Sequence, residues 1–122
     1  MSALLDSTVL IDVLRGETAA VAYLQSLARR PTCSEISRIE VLTGLRSHER
    51  NDGERLLGSL AWLPVDEAVS RRAGELGRRF RRSHDLGAAD LAVAATADVL
   101  HLTLATSNVR HFPMFEGLLP PY

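Results

Sequence analysis

Four stretches of the chain hold the side chains best suited to chemistry: LLDSTVLIDVLRG (4–16), SEISRIEVLTGL (34–45), LGAADLAVAATA (86–97) and LATSNVRHF (104–112). The candidates within them are Asp6, Glu40, Asp90 and Asn108, while Asp12 reads as a helix-surface acid. Carboxylates brought together repel, and each has its pKa raised unless something neutralises the group. A hard divalent cation is the simplest neutraliser, because Mg²⁺ takes oxygen ligands octahedrally and retains water for chemistry. Asn108 would orient a water or a carboxylate in such a site without adding charge.

Each residue also has a plainer reading. Asp6 can serve as a helix cap, with Ser7 and Thr8 competing for that role. Glu40 lies between Ile39, Val41 and Leu42 on a helix whose apolar positions nearly encircle the axis, where an acid is costly unless paired or metal-bound; an arginine partner would suffice. Asp90 falls in a first helical turn, where the helix dipole favours an acid. Asn108, Thr106 and Ser107 suit a turn. The histidines His48, His84, His101 and His111 form no pair at helical ligand spacing and read as surface or turn residues. Cys33 reads as a core residue, and Asp85 as a reserve ligand.

Placing the acids requires strands that alternate with helices. Residues 3–6 read as a buried strand and those up to Gly16 as a helix capped by Ser7 or Thr8. A helix is expected over 19–29, a strand at 32–33, helices over 35–47 and 52–60, and a strand or extended link at 62–65. Asp66 should cap a helix with the stripe Val69, Ala73, Leu76 and Phe80; AADLAVAATADVL is helical, and HLTLAT returns to strand from His101. Such alternation predicts an α/β fold with a small parallel sheet. In open parallel sheets ligands bind beyond the carboxyl ends of the strands, where Asp6 should project.

The 122 residues predict one domain spanning 1–122, with 46% hydrophobic and 24% charged residues and a formal net charge of −1. All 14 basic residues are arginines, so lysine-dependent Schiff-base or phosphate-anchoring chemistry is excluded. Six of them fall at Arg71, Arg72, Arg78, Arg79, Arg81 and Arg82; Arg81 and Arg82, nearest the loop before Asp90, are candidate nucleic-acid contacts, a solvated helix face being the simpler reading. One cysteine permits neither an internal disulfide nor a cysteine zinc knuckle. No signal peptide or membrane span is expected, and a reducing cytoplasm fits the composition best.

In order and spacing the four motifs resemble PIN-domain ribonucleases, and among them the VapC toxins of bacterial toxin–antitoxin pairs. That resemblance runs from Leu4 to Phe112. It implies a three-layer α/β/α sandwich and a Mg²⁺- or Mn²⁺-dependent endoribonuclease in which Asp6 and Asp90 hold metal and Glu40 completes the catalytic acids. Thr8 matches a hydroxyl that supports the first aspartate from the second shell. Asn108 falls where many relatives carry another acid, which leaves one ion or two open. A homodimer and a small VapB-like antitoxin are the implied partners. The alternative is a catalytically impaired module that binds RNA or an antitoxin without cutting.

Overall fold

In a computed structural model the backbone is described over residues 2–122, the side chains of 81–84 excepted. Arg81 and Arg82, the candidate RNA contacts, therefore lie outside the described side chains. The elements run β1 (Ala3–Leu5), α1 (Ser7–Leu14), α2 (Thr18–Ser26), β2 (Thr32–Ser34), α3 (Glu35–Gly44), α4 (Arg50–Gly58), β3 (Ala61–Leu63), α5 (Glu67–His84), α6 (Ala88–Leu100) and β4 (Thr103–Ala105). Short 3₁₀ turns occupy Ser47–Glu49 and Val109–His111.

The strands form one parallel sheet in the order β3-β2-β1-β4. From β1 the chain moves outward through β2 and β3, then returns to place β4 on the other side of β1. Strand order thus reverses between β1 and β4, whose carboxyl ends carry Asp6 and Thr106. Alternation along the strands divides the core in two. Leu4 and Leu104 join Val69, Leu76, Leu91, Val93 and Phe112 under α5 and α6. Leu5, Cys33 and Ala105 join Val9, Leu10, Val41 and Leu57 on the opposite face, under α1 and α4. The result is the expected α/β/α sandwich.

Small side chains let α6 lie deep: Ala92, Ala94, Ala95 and Ala97 are buried, and Thr96 satisfies its hydroxyl on the Ala92 carbonyl at 2.7 Å. Arg30 donates to the carbonyls of Ser59 at 3.1 Å and Leu60 at 2.9 Å, serving acceptors just past the end of α4. Asp66 caps α5 as expected, accepting from the Val69 N–H at 3.0 Å.

Several boundaries differ from the sequence reading for local reasons. Asp6 itself caps α1, accepting from the Ser7 N–H at 2.9 Å, so neither Ser7 nor Thr8 is needed there. Helix α2 stops at Ser26 rather than Arg29: the Ser26 hydroxyl bonds the Tyr23 carbonyl at 2.6 Å and Leu27 turns extended. Helix α3 stops at Gly44 rather than 47, with Leu45 extended. His101 does not begin a strand. It takes left-handed φ 54° to close α6, while the Leu102 N–H reaches back to the Ala97 carbonyl at 2.9 Å. The apolar surround expected for Glu40 is also corrected, because Ile39 and Leu42 are solvent-exposed.

A candidate acidic site at the strand reversal

Asp6 sits in the one-residue step from β1 to α1. Its backbone N–H extends the strand ladder to the Ala105 carbonyl at 2.9 Å, and its side chain begins the helix. Only 4% of the residue is exposed. Oδ1 accepts from the Ser7 N–H at 2.9 Å; Oδ2 accepts from the Thr106 hydroxyl at 2.7 Å and from Thr8 at 3.2 Å. Burial raises the Asp6 pKa, these donors oppose that shift, and the charge of Asp90 reinforces it. Capping and site membership therefore coincide in one carboxylate.

Ser7 links the first acid to the second. Its hydroxyl donates to Glu40 Oε1 at 3.1 Å, spanning α1 and α3. Glu40 is exposed as a residue, yet its carboxyl lies over buried Ser7. Desolvation raises its pKa, repulsion from Asp6 and Asp90 adds to the shift, and the Ser7 hydrogen bond opposes it. Asp6 and Glu40 thus both feel the charge of Asp90, and Glu40 that of Asp6 as well. Asp90, in the first turn of α6, meets His111 with Oδ2 at 3.0 Å from Nδ1.

The segment after β4 reaches both ends of this group. Thr106, fully buried, donates to Asp6 while its oxygen accepts the Asn108 N–H at 3.0 Å. The Ser107 N–H donates to Thr8 at 3.2 Å. Asn108 thus contributes its backbone to the hydroxyl network, and the 3₁₀ turn that follows carries His111. Thr106 and His111 are the partners that sequence reasoning undervalued: hydroxyls near strand ends usually cap, and His111 has no ligand at helical spacing. The available signal was topological, since both follow the strand beside β1.

Among the described residues, no three His, Cys, Asp or Glu side chains stand close enough to form a ready-made cation cage. The donor set still fits a hard dication: Mg²⁺ keeps several waters and commonly takes only one or two protein carboxylates. Asp6 Oδ1 accepts one hydrogen bond and retains a lone pair, and among the described residues Asp90 Oδ1 accepts none. Mutual repulsion of raised-pKa acids is what a cation would relieve.

Other chemistry is less well supplied. Burial pushes the Cys33 thiol up to about 12, leaving it inert. Within the arginine run, Arg71 pairs with Glu67 at 2.7 Å, and Arg72 with Asp98 at 2.6 Å and Glu75 at 2.9 Å. Those two cations are engaged on the protein's own surface. Among the described residues, no helix is long and apolar enough to cross a membrane.

Comparison with known proteins agrees with this architecture. Residues 3–114 match the PIN domain family. Over 123 aligned positions the chain is 50% identical to Ribonuclease VapC10 of Mycobacterium tuberculosis, covering 98% of this chain and 92% of that protein. Ribonuclease VapC19 of the same organism is 42% identical, with 98% of each chain covered. A toxin–antitoxin complex from Klebsiella pneumoniae contains a chain that superposes with a TM-score of 0.83 at 27% identity, covering 99% of this chain and 98% of that one. A DNA-bound VapBC from Salmonella typhimurium shares the fold, with a TM-score of 0.82 at 19% identity over 97% of this chain and 95% of that one. With the strand reversal, the acids gathered there and half of its residues shared with a VapC protein, this chain belongs to the PIN domain family, in its VapC branch.

Proposed function

We propose that the chain is a divalent-metal-dependent endoribonuclease acting as the toxin of a toxin–antitoxin pair. The observation that carries this reading is the acidic cluster at the strand reversal, where Ser7 bridges Asp6 to Glu40 and the charge of Asp90 reaches both acids. The ribonuclease names of its relatives support RNA as substrate. Asp6 and Asp90 would hold Mg²⁺ or Mn²⁺, which when bound supplies charge neutralisation for a phosphate and acidification of water.

The protein's own groups do the rest. Thr106, Thr8 and the Ser7 N–H fix the Asp6 carboxylate, so its oxygens need no reorganisation when charge develops nearby. Glu40 is the base: a raised pKa brings a carboxylate closer to the proton affinity needed to take a proton from water near neutral pH. Ser7 orients that carboxylate through Oε1, and among the described residues Oε2 accepts no hydrogen bond. In-line hydrolysis would leave a 5′-phosphate and a 3′-hydroxyl without using the RNA 2′-hydroxyl as nucleophile. Arg81 and Arg82 are proposed to hold the RNA backbone.

A VapB-like antitoxin is the proposed partner, supported by the toxin–antitoxin complexes among the structural neighbours. Exposed Ile39 and Leu42 on α3 supply apolar surface for a homodimer. The deciding experiment is cleavage of a structured RNA by the native chain and by Asp6→Asn. Activity should require Mg²⁺ or Mn²⁺, stop in excess EDTA and vanish in the variant, which should keep its native circular dichroism. Robust cutting in EDTA would overturn the proposal.

A further inference from the structure

We infer that His111 is a positioning residue for Asp90, and that the turn after β4 sets both metal-facing aspartates at once. This deepens the proposed cation site and rests on that reading. Residues Thr106 to His111 span a single short segment, yet Thr106 holds Asp6 at 2.7 Å and His111 meets Asp90 at 3.0 Å. The segment is stiff at both ends. Thr106 is fully buried and accepts the Asn108 N–H; the His111 N–H closes the 3₁₀ turn on the Asn108 carbonyl at 3.0 Å. Phe112, 1% exposed, anchors the next position in the core beneath α5 and α6. The imidazole is thus delivered to Asp90 by a segment bonded at one end to Asp6 and followed at the other by a core anchor.

The chemistry of the contact is directional. Carboxylate oxygens accept, so the ring hydrogen sits on Nδ1 and is donated to Oδ2. That occupies one oxygen of Asp90, directs the other toward a ligand and restrains the carboxylate before any cation arrives. Hydrogen bonds to ligating carboxylates commonly change metal affinity by about 10–100-fold. The Asp90 side chain is 24% exposed, so the restraint acts on a partly buried carboxylate. His111 touches neither substrate nor cation in this assignment; it acts through Asp90.

Mn²⁺ affinity, read by the loss of the free-ion electron paramagnetic resonance signal, tests the assignment without an activity assay. His111→Ala should weaken Mn²⁺ binding roughly tenfold. His111→Asn, whose amide nitrogen takes the place of Nδ1, should restore most of it. RNA cleavage by His111→Ala should recover at high Mn²⁺, which a general structural defect would not allow, and thermal melts should match the native chain. Unchanged or tighter Mn²⁺ binding in His111→Ala would overturn the role, as would failure of His111→Asn to rescue. Asp90→Asn separates the two levels: if it binds Mn²⁺ as the native chain does, the cation site itself is wrong, whereas its loss beside an unaffected His111→Ala rejects only the positioning role.

Discussion

Asp6 and Asp90 are chemically the same side chain in two different mountings. Asp6 is almost wholly buried, joins the sheet through its backbone, caps a helix and accepts from two threonines. Asp90 stands one quarter exposed on the first turn of α6, with His111 on a surface turn as its partner among the described residues. One acid is built into the fold; the other is presented by it. The first should govern stability as well as chemistry, and the second chemistry almost alone.

The largest effect expected is on catalysis. Asp6→Asn and Asp90→Asn should each lower single-turnover RNA cleavage by at least about a hundredfold, because both remove charge from the proposed cation site. Retained activity in one variant alone would show that the two mountings serve different tasks.

Stability should split them next. Thr106→Val leaves the buried Asp6 carboxylate without its shortest hydrogen bond and should cost about 1–3 kcal/mol in urea denaturation, with Thr106→Ser recovering much of it. Asp90→Asn should change stability by less than about 1 kcal/mol, because its hydrogen bond to His111 is partly exposed. Equal losses would erase the distinction.

The pH dependence sharpens it further. Burial raises Asp6 and Glu40, so the folded chain holds their protons more tightly than the unfolded chain does. Their contribution to stability is therefore full below the ordinary values, 3.8 and 4.5, and is lost as pH rises through the higher folded-state values. Melting temperatures followed from about pH 4 to pH 7 should fall more for the native chain than for Asp6→Asn/Glu40→Gln. Parallel curves would mean that the two acids carry no net burden. Added Mn²⁺ should return the lost stability at neutral pH in the native chain only, by about 2.7 kcal/mol at a hundredfold excess over Kd.

The smallest effect belongs far from the acids. The Tyr122 hydroxyl donates to Asp12 on α1 at 2.6 Å. Tyr122→Phe should cost about 0.5–1.5 kcal/mol and leave cleavage unchanged. A matching loss of activity would show that the site depends on α1 beyond its first turn.

Much of this arrangement is legible in the sequence. Leu4-Leu5-Asp6-Ser7 reads as a strand end meeting a helix start because the apolar run stops at a capping acid, and both roles prove to be real. Glu40 stands out in the sequence by an apolar surround that the fold does not give it. Its apolar neighbours Ile39 and Leu42 face solvent, and the acid is set apart instead by Ser7 and by two distant aspartates. Helix ends were misjudged where a side chain intercepted a carbonyl, as at Ser26, or where His101 took a left-handed backbone. Such local competition leaves no mark in a hydrophobic period.

What the sequence determined by itself was the alternation of strands and helices, which follows from period and caps, and the types of group available: oxygen acids, hydroxyls and no lysine. Tertiary structure alone decided that Thr106, a hundred positions from Asp6, is its closest donor, and that His111 falls to Asp90. The reason is the order of strands in the sheet. Setting β4 beside β1 brings their carboxyl ends together across nearly the whole chain, and no pattern confined to neighbouring residues records which strands will pair.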